Sequence, residues 1–336
     1  MDEGCTGAFG DETYPALTAL AAAAMVSDPN LDEKAELPPH VMKSLDFLAS
    51  KQKTDGGIYG KGLAAYNTAL SLTALAFAGE KKYEKVMLDA RRFLINQQSD
   101  FDVRGEADNA FDGGIGYGGT YAHSDLSNTH FVLEALHYFK LSQSDSGTEL
   151  DKKLQLDFDA AITFVSRTQN LPGAFKDYAT TEENKGSFNY FPGDSKAGED
   201  KLEDGRVALR GYGSMSYAGL LSFIYAGMDK DDPRIEAVLE WLKKNYTLDE
   251  NPGLEGQGLF YYYHTMAKAL AIMKMPELEL ADGTKVNWRK DLSLKLFDLQ
   301  AADGSWTNET GRWWENDPIL VTSYAVLTLE HIYHNL

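Results

Sequence analysis

Apolar residues along this chain follow two helical patterns that alternate. In the first, apolar residues recur every three or four positions between Lys, Arg and Glu, as at 92–94 and 240–242, which is typical of an outer helix with one buried face. In the second, small and aliphatic residues fill most positions, as at 67–75, which is typical of an inner helix buried on most sides. The first pattern predicts helices at 38–52, 82–98, 152–169, 233–246 and 286–300. The second pattern predicts helices at 13–27, 65–79, 125–142, 213–228, 259–274 and 318–334.

A Gly-rich acidic turn joins the outer pattern to the next inner pattern. Its clearest copies are 52–57 (Gln-Lys-Thr-Asp-Gly-Gly) and 300–306 (Gln-Ala-Ala-Asp-Gly-Ser-Trp). A period of roughly 50 residues indicates stacked helical hairpins that must bury each other's apolar faces. An apolar helix layer inside an amphipathic layer predicts an all-α double-layered ring or solenoid. We expect residues 1–336 to form one domain.

The chain opens with part of a repeat. Residues 7–11 (Gly-Ala-Phe-Gly-Asp) have the composition of the turn, yet no helical pattern precedes them. We therefore expect the natural chain to begin upstream, with a further outer helix. The compartment is not predicted, and a removed signal sequence or export stays open.

Composition narrows the functional classes. The 336 residues are 43% hydrophobic and 12% aromatic, which suits a large packed core, and no apolar run reaches the ~18 residues of a membrane span. The formal charge of −19 argues against binding to nucleic acid or to anionic membranes. Cys5 is the only cysteine, so neither an intramolecular disulfide nor a thiolate metal cluster can form. We expect a soluble protein without a nucleic-acid partner.

The turn at 300–306, its relatives at Gln52 and Asp112, and the alternating helices resemble the prenyltransferase/squalene-cyclase repeat family. The resemblance covers essentially the whole chain. It implies an (α/α)6 toroid, in which the inner helices present their N-terminal ends to a central cavity. The family includes terpenoid cyclases and protein prenyltransferase β subunits, so the fold does not imply one chemistry.

The cyclase chemistry of this family uses an Asp-x-Asp-Asp-Thr motif at the start of an inner helix. The matching stretch here is 125–129 (Asp-Leu-Ser-Asn-Thr), in which Asp125 and Thr129 agree. Ser127 stands where the family has its proton donor, and a serine hydroxyl cannot protonate an alkene. The resemblance therefore predicts a divergent member without the usual cyclase acid.

The prenyltransferase chemistry of this family uses a zinc ion held by Asp, Cys and His. Residues 263–265 (Tyr-His-Thr) match the histidine motif, but the Asp-x-Cys pair aligns with 214–216 (Ser-Met-Ser). One histidine does not hold zinc. We expect no zinc site and no other cofactor.

Candidate site residues lie at the predicted starts of the inner helices. His264 is a candidate general base and Asp125 a candidate acid facing it across the cavity; the structural alternatives are a histidine bonded to nearby loops and a helix cap. An aromatic lining would suit apolar chains, carbocations or sugar rings, although inter-repeat packing explains the same residues. The candidate ligand-binding residues are Tyr117, Tyr121, Asn128, Tyr212, Ser214, Ser216, Tyr262, Tyr263, Trp313 and Trp314.

Three functions stay open from the sequence. The first is binding of an isoprenoid-like or other apolar small molecule in the cavity, with or without catalysis. The second is a carbohydrate hydrolase or lyase, which needs paired carboxylates facing a polar cleft. The candidates for that pair are Asp125, Glu255, Glu315 and Asp317. The third is a non-catalytic scaffold that docks a protein, for which the long connection at 170–212 offers a surface.

Overall fold

Helices dominate the computed structural model, which describes residues 6–31, 36–118, 123–142, 153–175 and 178–336. The inner helices in these ranges are α1 (Pro15–Val26), α3 (Ala64–Ala78), α5 (Leu126–Ser142), α7 (Gly213–Tyr225), α9 (Leu259–Ile272) and α11 (Pro318–Tyr333). The outer helices are α2 (Pro39–Ser50), α4 (Glu84–Ile95), α6 (Phe158–Arg167), α8 (Pro233–Lys244) and α10 (Trp288–Leu299). Short 3-10 turns lie at Lys81–Tyr83 and Arg312–Trp314.

The inner helices form a closed ring. Each packs on the next in chain order, and α11 packs back on α1. The outer helices α2, α4, α6, α8 and α10 pack on the outside of this ring, each against an inner helix to which it is joined in sequence. The prediction of an all-α toroid is confirmed.

Burial follows the two sequence patterns. In α3, Ala65, Ala69 and Leu72 have no exposed surface, as expected for a helix covered on most sides. In α8, Ile235 and Val238 are buried while Glu236 between them faces solvent. Within the described ranges, no helix is both long enough and apolar enough to cross a bilayer.

The structure differs from the predicted elements in two places. Helix α6 begins at Phe158 rather than at 152, because the side chain of Asp157 accepts a hydrogen bond from the backbone N–H of Ala160 and caps the helix there. Two antiparallel hairpins also lie in connections predicted as irregular. They pair β1 (Glu199–Lys201) with β2 (Val207–Leu209), and β3 (Leu278–Glu279) with β4 (Lys285–Val286).

A glutamine locks each of three turns to the following outer helix. Its Nε2 donates one hydrogen bond to a glycine carbonyl of its own turn and one to a backbone carbonyl at the start of that helix. These pairs are Gln52 to Gly56 (3.1 Å) and Val86 (2.8 Å), Gln98 to Gly113 (3.0 Å) and Asp157 (2.8 Å), and Gln169 to Gly186 (3.1 Å) and Arg234 (2.8 Å). The turns therefore fix the angle between successive repeats.

The glycine of each of these turns touches the backbone of the same outer helix. A Cβ added to Gly56, Gly113 or Gly186 would lie 2.0–2.5 Å from the carbonyl oxygen of Asp89, Ala160 or Ala237, respectively. Each of these carbonyls follows the glutamine-bonded carbonyl by three residues, which is close to one helical turn. The turns are therefore structural, and a side chain at the glycine would push the outer helix away.

Replacing Gly113 by Ala is expected to destabilise the protein more than replacing Gly304 by Ala. Both glycines have positive φ (+84° and +89°), so both variants carry the same left-handed cost of about 1–2 kcal/mol. Only Gly113→Ala adds a clash, with the carbonyl of Ala160, worth about 1–3 kcal/mol. Urea unfolding of the two variants measures the difference. If the two variants lose the same free energy of unfolding, the contact between Gly113 and Ala160 does not hold α6 in place.

Candidate functional site

The first turns of all six inner helices meet around a central cavity of about 250 Å³. The cavity is enclosed mainly by aromatic and aliphatic side chains. Its described lining is Tyr14, Ala16, Leu17, Leu63, Tyr66, Asn67, Tyr117, Ser127, Phe131, Tyr190, Tyr212, Ser214, Met215, Gly258, Tyr261, Trp313, Trp314, Glu315, Leu320 and Tyr324. This position agrees with the expectation that inner-helix N-termini surround the cavity.

Four aromatic rings from four inner helices pack together along one side of the cavity. The ring of Phe131 lies 5.1 Å from that of Tyr66 and 5.9 Å from that of Tyr261, and Tyr324 lies 5.8 Å from Tyr261. Elsewhere in the lining, Trp314 meets Tyr14 edge to face at 4.7 Å. Ring faces and edges therefore present an apolar, polarisable surface to a ligand.

Glu315 is the one carboxylate among the described lining residues. Its two oxygens accept hydrogen bonds from the backbone N–H groups of Tyr261 (2.8 Å) and Phe260 (3.3 Å) and from the side-chain amide of Asn308 (2.6 Å). Burial raises the pKa of Glu315, and these donors pull it back down. Through these hydrogen bonds, Glu315 ties the start of α9 to the segment that holds Asn308 and the carboxyl itself.

Asp125 is a buried carboxyl immediately before α5. Its side chain accepts hydrogen bonds from the backbone N–H and the side-chain amide of Asn128, both at 2.8 Å. Burial raises the pKa of Asp125 to about 7, although Asn128, the hydroxyl of Tyr190 and the charge of Lys196 lower it in part. A carboxyl with this pKa keeps its proton in a large fraction of molecules near neutral pH.

Tyr190 connects Asp125 with the cavity. Its hydroxyl donates a hydrogen bond to the hydroxyl of Tyr117 at 3.3 Å, and the same side chain lies close enough to Asp125 to lower the pKa of that carboxyl. Both tyrosines line the cavity, whereas Asp125 has no exposed surface. The protonatable carboxyl therefore lies behind the cavity wall, beside a tyrosine that lines the cavity.

His264 lies in a different environment from Asp125. Its ring stacks on Tyr324 at 5.4 Å and approaches His331 at 5.5 Å, and it is not part of the described cavity lining. Burial, followed by the charge of Lys268, holds the pKa of His264 well below its usual range, so the imidazole is neutral. The structure thus does not place His264 and Asp125 on facing sides of the cavity.

A buried ion pair joins α5 to α9. Lys268 Nζ lies 2.5 Å from Glu134 Oε1, and His130 Nε2 lies 3.5 Å from the other oxygen of Glu134. His130, Glu134 and Lys268 are all buried. No cluster of three or more His, Cys, Asp or Glu side chains within the described ranges could hold a metal ion.

Half of the predicted ligand-binding residues line the cavity in the structure. They are Tyr117, Tyr212, Ser214, Trp313 and Trp314. Sequence reasoning missed most of the aromatic cluster, including Tyr66, Phe131 and Tyr324. Their position in the sequence could have identified them, because all three lie in the first two turns of inner helices.

The other predicted residues lie away from the described lining. The hydroxyls of Tyr262 and Tyr263 donate to the carbonyls of Thr247 (2.9 Å) and Leu248 (2.5 Å), so both rings are used in packing. Ser216 donates to the carbonyl of Tyr212 at 2.9 Å, and Asn128 bonds to Asp125. Tyr121 lies outside the described residues.

Solved structures share this fold. No protein-family model matches the sequence, and a search of curated proteins found no match. The chain is similar to the type II terpene cyclase MstE from Scytonema without ligand (TM-score 0.52, 13% identity, covering 100% of this chain and 92% of that one). It is also similar to an aspartate-to-asparagine variant of MstE in complex with its substrate geranylgeranyl dihydroxybenzoate (TM-score 0.55, 13% identity, 100% and 91% coverage). An aspartate-to-alanine variant in complex with the product merosterolic acid A gives a TM-score of 0.53 at 13% identity, with 100% and 91% coverage.

These likenesses define the class of fold. The chain has a terpenoid-cyclase-like toroid, and the similar structures hold an isoprenoid substrate and its product. At 13% identity the comparison concerns the fold alone, and the chemistry has to be argued from the residues of this chain.

Proposed function

We propose that this protein binds an isoprenoid chain in the central cavity. The observation that carries the proposal is the lining of aromatic rings around the cavity where the inner helices begin. Transfer of a methyl-branched hydrocarbon from water into contact with these rings is favourable. The volume of about 250 Å³ lies just below the ~300–1,000 Å³ of ordinary ligand sites, so the cavity suits a short prenyl chain.

The structural likeness supports the same class of ligand. MstE holds geranylgeranyl dihydroxybenzoate within the shared fold. A carbohydrate hydrolase is less well supported, because it needs two carboxyl groups roughly 5–10 Å apart in a polar cleft. Glu315 is alone in the described lining, and its two oxygens already accept hydrogen bonds from the start of α9 and from Asn308.

A second function, proton-initiated cyclisation of the bound chain, is favoured by Asp125. Its carboxyl holds a proton near neutral pH and lies beside Tyr190, which lines the cavity. The π electrons of a double bond would take the proton of Asp125 to form a C–H bond, leaving Asp125 as a carboxylate. The next double bond would then attack the resulting tertiary cation. Transfer of a proton from carbon to water would end the reaction, and Asp125 would regain its proton from solvent. Ring faces stabilise such cations by cation–π attraction.

The binding proposal is tested by tryptophan fluorescence, because Trp313 and Trp314 line the cavity. Addition of farnesol is expected to change the emission saturably, at one equivalent per chain. Dodecanol, an unbranched alcohol, is expected to bind more weakly because it lacks the methyl contacts. If maltotriose changes the emission and farnesol does not, the carbohydrate function is correct instead.

A further inference from the structure

One wall of the central cavity carries three hydroxyl groups from neighbouring inner helices. Tyr212 stands immediately before α7, Tyr261 lies in the first turn of α9, and Ser127 lies in the first turn of α5. Helix α7 packs against both α5 and α9. Burial, followed by the neighbouring Tyr261, raises the pKa of Tyr212. Burial also raises the pKa of Tyr261, and the side chain of Ser127 lies close enough to lower it in part. These three residues therefore form one hydroxyl cluster.

The two tyrosines of the hydroxyl cluster have hydrogen-bonding capacity that the described part of the chain does not use. The hydroxyl of Tyr261 is buried and has no hydrogen-bond partner there. Tyr212 is only 2% exposed, and no described residue hydrogen-bonds to its hydroxyl. Elsewhere in the lining, by contrast, Tyr190 donates to the hydroxyl of Tyr117 at 3.3 Å. A buried polar group without a partner is unfavourable, so a ligand that supplies the missing partner binds more tightly at this wall.

The charges around the cavity favour an uncharged ligand group over an anionic one. The described lining contains Glu315 but no Lys, Arg or His. Two cations lie against lining rings from outside the lining, and both are already engaged. Lys196 forms an ion pair with Asp194 at 2.9 Å, and Arg312 hydrogen-bonds to the side chain of Gln257. A phosphate or carboxylate inside the cavity would therefore be buried without a cation, which is costly.

On the basis of the isoprenoid binding proposed above, we propose that the ligand is a prenyl alcohol whose uncharged hydroxyl head group is held by Tyr212, Tyr261 and Ser127. A hydroxyl donates one hydrogen bond and accepts two, so three hydroxyl partners can satisfy it completely. The hydrocarbon chain would lie against the rings of Phe131 and Tyr324, which flank the ring of Tyr261 at 5.9 Å and 5.8 Å. The cavity would thus distinguish a prenyl alcohol from a prenyl hydrocarbon and from a prenyl diphosphate.

Paired ligands and tyrosine variants test the head group. Farnesol and farnesene have branched chains of the same length, but only farnesol carries a hydroxyl. Tyr212→Phe keeps the ring and removes no hydrogen bond within the described part of the chain. We expect this variant to weaken farnesol binding about three- to tenfold and to leave farnesene binding unchanged, because only farnesol loses a hydrogen bond. Tyr261→Phe is expected to behave in the same way. Titrations followed by tryptophan fluorescence measure each affinity.

Tyr14→Phe is the matched control for these variants. Like Tyr212, Tyr14 stands immediately before an inner helix and lines the cavity, but α1 lies across the ring from α7. The control variant is expected to bind farnesol as the wild type does.

Two results would overturn the hydroxyl head group while isoprenoid binding stands. The first is that Tyr212→Phe weakens farnesol and farnesene equally, or weakens farnesol no more than Tyr14→Phe does. The second is that the wild type binds farnesyl diphosphate more tightly than farnesol, which would indicate an anionic head group near Lys196 and Arg312. If the wild type binds neither farnesol nor farnesene, the proposed function itself is wrong.

Discussion

Replacing Lys268 by Met is expected to lower the free energy of unfolding by about 3–5 kcal/mol. Lys268 Nζ lies 2.5 Å from Glu134 Oε1, and the two side chains are only 5% and 4% exposed. Met fills a similar volume but leaves the carboxylate of Glu134 buried without a cation. Because the pair joins α9 to α5, the loss weakens the contact between two inner helices. Urea unfolding of the variant and of the wild type measures the difference.

The double variant Glu134→Leu, Lys268→Met is the control for this prediction. It removes both charges, so it is expected to recover most of the stability lost in the single variant. If the double variant is as unstable as Lys268→Met, the loss does not come from the unpaired charge of Glu134. The attraction between Lys268 and Glu134 then exceeds the cost of burying both charges.

Replacing Asp125 by Asn is expected to reduce product formation from an added isoprenoid by about 10²–10⁴-fold, while binding is kept. Asn cannot supply a proton, but its side-chain oxygen can still accept the hydrogen bond from the backbone of Asn128. The assay is product analysis by gas chromatography and mass spectrometry, with farnesol affinity measured in parallel. If the wild type forms no product, the acid role of Asp125 is wrong and the binding proposal stands by itself.

The same variant is expected to lose product formation without losing stability. The folded pKa of Asp125, about 7, exceeds the ordinary value of 3.8, so the folded state binds more protons than the unfolded state between these values. Ionisation of Asp125 therefore lowers the free energy of unfolding, by an amount that grows as the pH rises from about 4 to about 7. We expect Asp125→Asn to be at least as stable as the wild type at pH 8.

Asp317 provides the matched control, since its side chain also caps an inner helix by accepting from the backbone N–H of Ile319 at 2.8 Å. Asp317→Asn is expected to keep both stability and product formation. If Asp125→Asn also keeps full product formation, Asp125 is only a helix cap.

Most of the fold could be predicted from sequence because its determinants are local. The period of apolar residues distinguishes inner from outer helices, and cap residues such as Asp232 and Asp317 mark their starts. The short hairpins could not be predicted, since strands of two or three residues lack a detectable period.

The site was less predictable because it depends on helix rotation and on distant partners. Successive residues on a helix point about 100° apart, so a run of three tyrosines cannot show which one faces the cavity. The structure places Tyr261 there and turns Tyr262 and Tyr263 away. Asp125 acquires its connection to the cavity from Tyr190, which lies 65 residues later in a connection without regular pattern.

Native mass spectrometry with farnesol tests the central claim most directly. Ser127 lines the central cavity, and Ser293 lines an apolar groove on the outside of the ring beside α1 and α11; both side chains are partly buried. We expect a one-to-one farnesol adduct with the wild type and with Ser293→Phe, and none with Ser127→Phe, whose ring fills the cavity. An adduct that persists in Ser127→Phe and disappears in Ser293→Phe would show that the apolar ligand binds in the groove, and would contradict the assignment of the cavity.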